Sequence, residues 1–172
     1  MAIIKPFKAL KPKKELADKV ASRPYDVLNS EEAKKEAAGN DHSFLRITKS
    51  EIDLPDGIDT HSQQVYDKAK ANLELFIQNG TLYSEEKPCY YIYQLIMNGK
   101  SQTGLVCVSS IGDYFNDVIK KHELTRPEKE KDRIDHMSTI QAQTGNVFMA
   151  YRDVMEINAL INGWKGKNAP EY

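Results

Sequence analysis

A chain of 172 residues, 40% hydrophobic and 28% charged, suits one globular α/β domain (residues 1–172) large enough to bury a core without disulfide or metal staples. No apolar run is long enough to cross a membrane, and the opening Met-Ala-Ile-Ile-Lys-Pro lacks the apolar segment of a secretory signal, so the sequence reads as cytoplasmic, with no membrane partner. The formal net charge of −1 hides an asymmetry: residues 1–23 hold seven Lys and Arg against Glu15 and Asp18, yet a binder of duplex DNA shows a broader basic surface, which argues against nucleic acid.

Taken in order, Phe7 to Leu10 and Ala21 to Leu28 are predicted to be extended around Pro12 and Pro24, because proline pushes its predecessor out of the helical region. Asn29-Ser30-Glu31-Glu32 opens a short helix through Ala38 that stops at Gly39-Asn40. Phe44, Arg46 and Thr48 alternate with Leu45 and Ile47, which predicts a strand. The segment with Pro55-Asp56-Gly57 is a loop. Thr60 and Gln63 have capping-box spacing, and Val65, Ala69, Leu73, Phe76 and Ile77 recur at helical intervals up to Asn79, with Gly80 as the stop.

Two strands, Cys89 to Met97 and Gln102 to Ser109, flank Asn98-Gly99, the dipeptide that most favours a type I′ hairpin turn. Tyr114-Phe115 and Val118-Ile119 suggest a shorter second hairpin. Cys89 and Cys107 stand alone in strand-like surroundings and read as reduced core residues. A helix from Thr125 carries Ile134, Met137 and Ile140 on one side and is expected to end at Gly145-Asn146, before a strand-like Val147 to Tyr151. Val154 to Trp164 closes the chain as a helix, with Trp164 anchoring it. The fold class is therefore mixed α/β: a mixed sheet with hairpins and flanking helices.

The densest chemistry lies in His122-Glu123-Leu124-Thr125-Arg126-Pro127-Glu128 and Asp132-Arg133. Thr125 and Glu128 have the spacing of a capping box, with Pro127 in the first turn, so His122 and Glu123 would sit just before a helix N-terminus. Exposed amides there favour phosphate or carboxylate, and Arg126 and Arg133 add donors if they turn the same way. The competing reading is a solvated, capped helix. Tyr25-Asp26 offers a phenol and a carboxylate to a ligand, or a Pro-initiated turn with a local Asp hydrogen bond. His42 and His61 fall at predicted element starts and read as surface residues, and His136 as solvent-facing. Phosphate loops, dinucleotide fingerprints, nucleophile elbows and zinc-protease helices are all missing from the sequence.

Lys5-Pro6-Phe7-Lys8-Ala9-Leu10, Arg23-Pro24-Tyr25-Asp26-Val27, Phe44-Leu45-Arg46, Tyr90-Tyr91-Ile92-Tyr93, and His122-Glu123-x-Thr125 with Asp132-Arg133 recur in an order that resembles the bacterial domain-of-unknown-function family 1015 along almost the whole chain. Many members are encoded near serine-biosynthesis genes. The resemblance also implies a distal Asp-Gly-His-His-Arg motif similar to that of ParB/sulfiredoxin-like proteins, including free serine kinases. This sequence holds no such motif. Family members are generally more than twice as long, so the chain is expected to be a truncated N-terminal portion, inactive alone.

The resemblance and the cluster together suggest phosphoryl transfer to a small amino acid such as serine, with a nucleotide and magnesium as cofactors and a small anionic metabolite as partner. Glu123 is then the base, His122 its orienting or proton-transfer partner, and Arg46, Arg126 and Arg133, with Thr125 and Tyr25, hold phosphate or carboxylate. Asp26 and Asp132 are the metal candidates, although Asp132 can equally pair with Arg133. The alternative, from another class, is a non-catalytic anion-binding or scaffold module linked to serine metabolism, using the same arginines and assembling as a homo-oligomer.

Overall fold

A computed structural model describes residues 2–122 and 124–172. In chain order the elements are β1 (Ile4–Lys5), β2 (Leu10–Pro12), α1 (Ala17–Val20), α2 (Ser30–Glu36), α3 (Leu45–Thr48), α4 (Gln63–Gln78), β3 (Leu82–Ser84), β4 (Tyr91–Met97), β5 (Lys100–Val106), β6 (Val108–Ser109), α5 (Ile111–Phe115), α6 (Pro127–Ile140) and α7 (Met155–Lys165), with single 3-10 turns at Lys14–Leu16, Tyr25–Val27 and Ser50–Asp53. The architecture is mixed α/β. The chain divides into two compact units: Met1–Lys11, Ser84–Leu124 and Met149–Tyr172 in the first, Pro12–Tyr83 and Thr125–Phe148 in the second.

The first unit is built on the predicted hairpin. β4 and β5 pair antiparallel with Met97 opposite Lys100, and both turn residues take positive φ, Asn98 at 51° and Gly99 at 74°, as a type I′ turn requires. β1 pairs antiparallel with β6, and Phe7 bridges Cys89. Tyr91 ties these pieces together: its hydroxyl accepts from Ala9 N–H and donates to the Phe7 carbonyl, each at 3.0 Å, while its ring meets Phe7 edge-on at 5.3 Å. Lys165 of α7 donates to Thr103 of β5 at 3.2 Å. Both cysteines are free thiols and half-buried, and burial pushes the Cys107 thiol up from its ordinary value.

The expected second hairpin is instead α5, because Ser110 caps a helical turn by accepting from Asp113 N–H. Val147 to Tyr151 lies outside any strand. Trp164 is 63% exposed.

The second unit is helical and holds two apolar clusters. Val20, Ile47, Ala69, Leu73, Phe76, Leu82 and Ile140 form one, and Leu28, Ala33, Ala37, Leu45 and Ile52 the other. α2 keeps its predicted start as a full capping box, Asn29 Oδ1 accepting from Glu32 N–H and Glu32 accepting from Asn29 N–H, both at 2.9 Å. Residues 44–48 are helical, not extended. Leu45 and Ile47 alternate with their neighbours because each enters a different cluster, a pattern a strand would also produce.

α4 begins two residues later than Thr60–Gln63 capping implies. Asp59 Oδ1 accepts from His61 N–H and the Asp59 carbonyl from Ser62 N–H, both at 3.0 Å, so Thr60 is used up in a turn and Ser62 becomes the N-cap. α6 starts with Pro127 after Arg126 rather than with a Thr125 cap, and Thr125 donates to Glu130 instead. It ends at Ile140, where Gln141 adopts φ 56° and its N–H and side chain bond to the Met137 and Ser138 carbonyls.

Phe76 is 2% exposed, so Phe76→Ala is expected to cost about 3–5 kcal/mol. Phe148→Ala, at a side chain 80% exposed, should stay within about 0.5 kcal/mol. Urea unfolding midpoints at constant slope test both.

Candidate functional site

α4 and α6 pack against each other in the second unit, and a buried carboxylate lies between them. The i, i+4 spacing of Asp132, His136 and Ile140 puts these three on one face of α6, and all three are buried. An isolated buried carboxylate is prohibitively costly, so Asp132 has to be paired. It accepts four hydrogen bonds. Oδ1 receives the Tyr66 hydroxyl at 2.8 Å and faces His61 Nδ1 at 3.0 Å, while Oδ2 receives Arg133 Nε at 3.0 Å and Nη2 at 2.6 Å.

The electrostatics follow from those partners. Burial alone pushes Asp132 up, but the hydrogen bonds from Tyr66 and Arg133, helped by the charges of Arg133 and His61, hold it below the ordinary carboxylate range. Desolvation, then the hydrogen bond to Asp132 and the nearby negative charges, push the Tyr66 phenol far up, so it stays a donor. His136 is 3% exposed and turns Nε2 to the Ile47 carbonyl at 3.1 Å, which fixes that nitrogen as the donor. Burial and the Arg133 charge push His136 down, and its ring meets Tyr66 edge-on at 6.1 Å. Its Nδ1 is buried without a partner.

His61 differs from the rest. The Asp59 turn delivers it to Asp132 by one ring nitrogen, yet its side chain remains 56% exposed. With Nδ1–H donating to the carboxylate, Nε2 carries the lone pair. A carboxylate-oriented imidazole of this kind is suited to proton transfer or nucleophilic attack. The Arg133 guanidinium, on the other carboxylate oxygen, lies 4.3 Å above the Tyr25 ring, and Nη1 is the nitrogen that Asp132 does not use.

Of the residues singled out in the sequence, Tyr25, Asp132 and Arg133 come together here. Arg46 lies in the same unit but in a different network: it pairs with Asp53 and Asp41 and donates to the Asn40 and Ala37 carbonyls, while its own carbonyl accepts from Asn72 at 2.6 Å. Thr125 and Arg126 are exposed at the start of α6, with Arg126 Nε 3.7 Å from Glu128. Asp26 is exposed. His122 is exposed and belongs to the first unit, and Glu123 lies outside the described residues. Among the described residues no three His, Cys, Asp or Glu side chains are grouped to hold a metal, and the Asp132 oxygens are already taken by donors, so Asp26 and Asp132 do not fit magnesium.

Sequence reasoning missed His61, Tyr66 and His136. His136 is buried rather than solvent-facing, and the i, i+4 relation to Asp132 was the available signal. Tyr66 sat inside an apolar helix stripe, and His61 had no local pattern at all.

No helix among the described residues is long and apolar enough to cross a membrane. The family described as "Protein of unknown function (DUF1015)" matches residues 4–172. No curated protein and no solved structure matches.

A His136 pushed below its ordinary 6.5 binds its proton less readily folded than unfolded, so its contribution to stability is complete above that value and is lost as pH falls through it. Urea stability should therefore drop below about pH 6.5, at no more than about 1.4 kcal/mol per pH unit from this group. His136→Gln, which keeps a donor toward Ile47, should flatten that slope. Arg46→Ala should cost about 3–5 kcal/mol in the same assay by removing the cation that pairs with Asp53 and leaving that carboxylate to Asn72 alone.

Proposed function

The chain belongs to the DUF1015 family of proteins of unknown function, and from that premise we propose that its Asp132 cluster serves phosphoryl transfer to a small hydroxyl-bearing amino acid such as serine. The observation that carries this reading is His61 Nδ1 held 3.0 Å from Asp132 Oδ1 with its side chain exposed, next to an arginine on the same carboxylate. Phosphoryl transfer needs little covalent machinery beyond positioning and charge stabilisation. An oriented imidazole can take a proton or a phosphoryl group, and a guanidinium can hold phosphoryl or carboxylate oxygens by paired donors. Tyr25 supports Arg133 from below, and Tyr66 holds the carboxylate in place.

In this reading a phosphoric anhydride, such as a nucleoside triphosphate or pyrophosphate, is a substrate. Glu123 as base toward an acceptor hydroxyl and His122 as its partner stay in the proposal on the family resemblance alone, apart from the Asp132 cluster. Thr125 and Arg126, exposed just before α6, offer further donors to an anion. The ParB/sulfiredoxin-like kinship that the family resemblance implies belongs to the same proposal.

The second reading, an anion-binding module without turnover, draws on one observation: Arg133 is already paired with Asp132, as in a site built to hold rather than to react. Phosphorus NMR with serine, magnesium and ATP or pyrophosphate, run on a full-length family member and on residues 1–172 side by side, separates the two. Phosphoserine should accumulate with the long form only and fall at least about a hundredfold there in His61→Gln and in Glu123→Gln, a loss typical of removing an acid–base group. Phosphoserine or serine binding without any turnover would favour the module, and unchanged turnover in Glu123→Gln would remove that residue as the base.

A further inference from the structure

We propose that His61 Nε2 is a phosphoryl-accepting nucleophile, so that transfer proceeds through a phosphohistidine on this chain; the inference rests on the phosphotransfer reading above. Three features of the geometry point to His61 rather than to the other three histidines. Its Nδ1 is committed to Asp132 Oδ1 at 3.0 Å, which fixes the tautomer that places a lone pair on Nε2. Its side chain is exposed, whereas His136 is buried and His42 is half-buried with its Nδ1 on Thr81 at 2.9 Å. The remaining histidine, His122, is exposed and pairs with no carboxylate among the described residues.

The carboxylate does more than orient. Asp132 is fully ionised by its four donors, so it stabilises the positive charge that grows on the ring as Nε2 attacks. The Arg133 guanidinium pairs with the opposite oxygen of that carboxylate through Nε and Nη2 and keeps Nη1 outside the pair. Tyr66 occupies Oδ1 together with His61 and prevents the carboxylate from swinging away.

The step balances without a further reactant. The Nε2 lone pair forms the N–P bond as the anhydride P–O bond breaks, and the leaving phosphate or nucleoside diphosphate takes that electron pair. The Nδ1 proton stays between His61 and Asp132. In the return step the acceptor hydroxyl oxygen attacks phosphorus, the N–P pair goes back to Nε2, and the hydroxyl proton passes to the acceptor's general base.

Phosphoramidate, a small donor that phosphorylates imidazoles without a binding site, tests the proposal on the chain as it stands. Peptide mapping under alkaline conditions gives the labelling rate of His61 against His122 in one sample. His61 should react about tenfold faster, the lower end of the range that carboxylate partners contribute to metal-bound imidazoles. Asp132→Asn should remove the advantage without altering the His122 rate, and in denaturing urea the two wild-type rates should converge, a control that survives if the variant does not fold. Equal rates in the folded wild type would overturn the proposal.

Adding serine to the labelled protein then separates the two levels of inference. Phosphoserine appearing as the label disappears supports both. A stable His61 label that serine does not remove supports the nucleophile and overturns serine as acceptor. Phosphoserine formed from ATP by His61→Gln at the wild-type rate overturns the nucleophile and leaves phosphotransfer standing.

Discussion

The second unit is organised around the need to pair one carboxylate. Asp132 lies on the buried face of α6, and ionised carboxylates are tolerated there only with partners. Tyr66 reaches it from α4, His61 from the turn before α4, and Arg133 from its own helix, with Tyr25 beneath Arg133. One buried charge thus draws three separated segments of the sequence to one place. The same demand creates the chemistry, because a carboxylate held ionised is what gives an imidazole a fixed tautomer and a stabilised positive charge.

A second charge network has a different purpose. Arg46 uses its guanidinium to close carbonyls at the end of α2 and in the following turn and to neutralise Asp53, which Asn72 of α4 also contacts at 2.9 Å. Its donors are spent on the backbone and on protein carboxylates. An arginine in a recognisable sequence element is therefore not by that fact a ligand residue; what its nitrogens already touch decides its role. Arg133 stands between the two cases, paired with Asp132 yet with Nη1 outside that pair.

Asp132 and the buried His136 share helix α6, while His61 comes from the turn before α4. His136 is neutral, donates to the Ile47 carbonyl and packs on Tyr66, so it supports the wall of the cluster. His61 is exposed on one ring nitrogen and anchored on the other. Two imidazoles close to one carboxylate are separated in role by solvent access and by what their ring nitrogens bind.

Local chemistry was enough to read several elements from the residues. Asn98-Gly99 demands positive φ at both positions and dictates the hairpin; Asn29 with Glu32 satisfies the first amides of α2; the α4 stripe from Val65 to Phe76 has only one face to bury. Each depends on neighbours within a few positions. Leu45 and Ile47 defeated the same method, because alternation describes burial and not backbone, and these two residues enter separate clusters from one helical turn. The site divides along the same line: Tyr25, Asp132 and Arg133 were visible as chemistry, but the sequence placed weight on His122 and Glu123 because they adjoin α6 in the chain. His61 and Tyr66 lie 71 and 66 positions from the carboxylate they bind. Hydrogen bonds across such separations leave no local spacing to read, so only the packing of α4 on α6 decides which histidine meets Asp132.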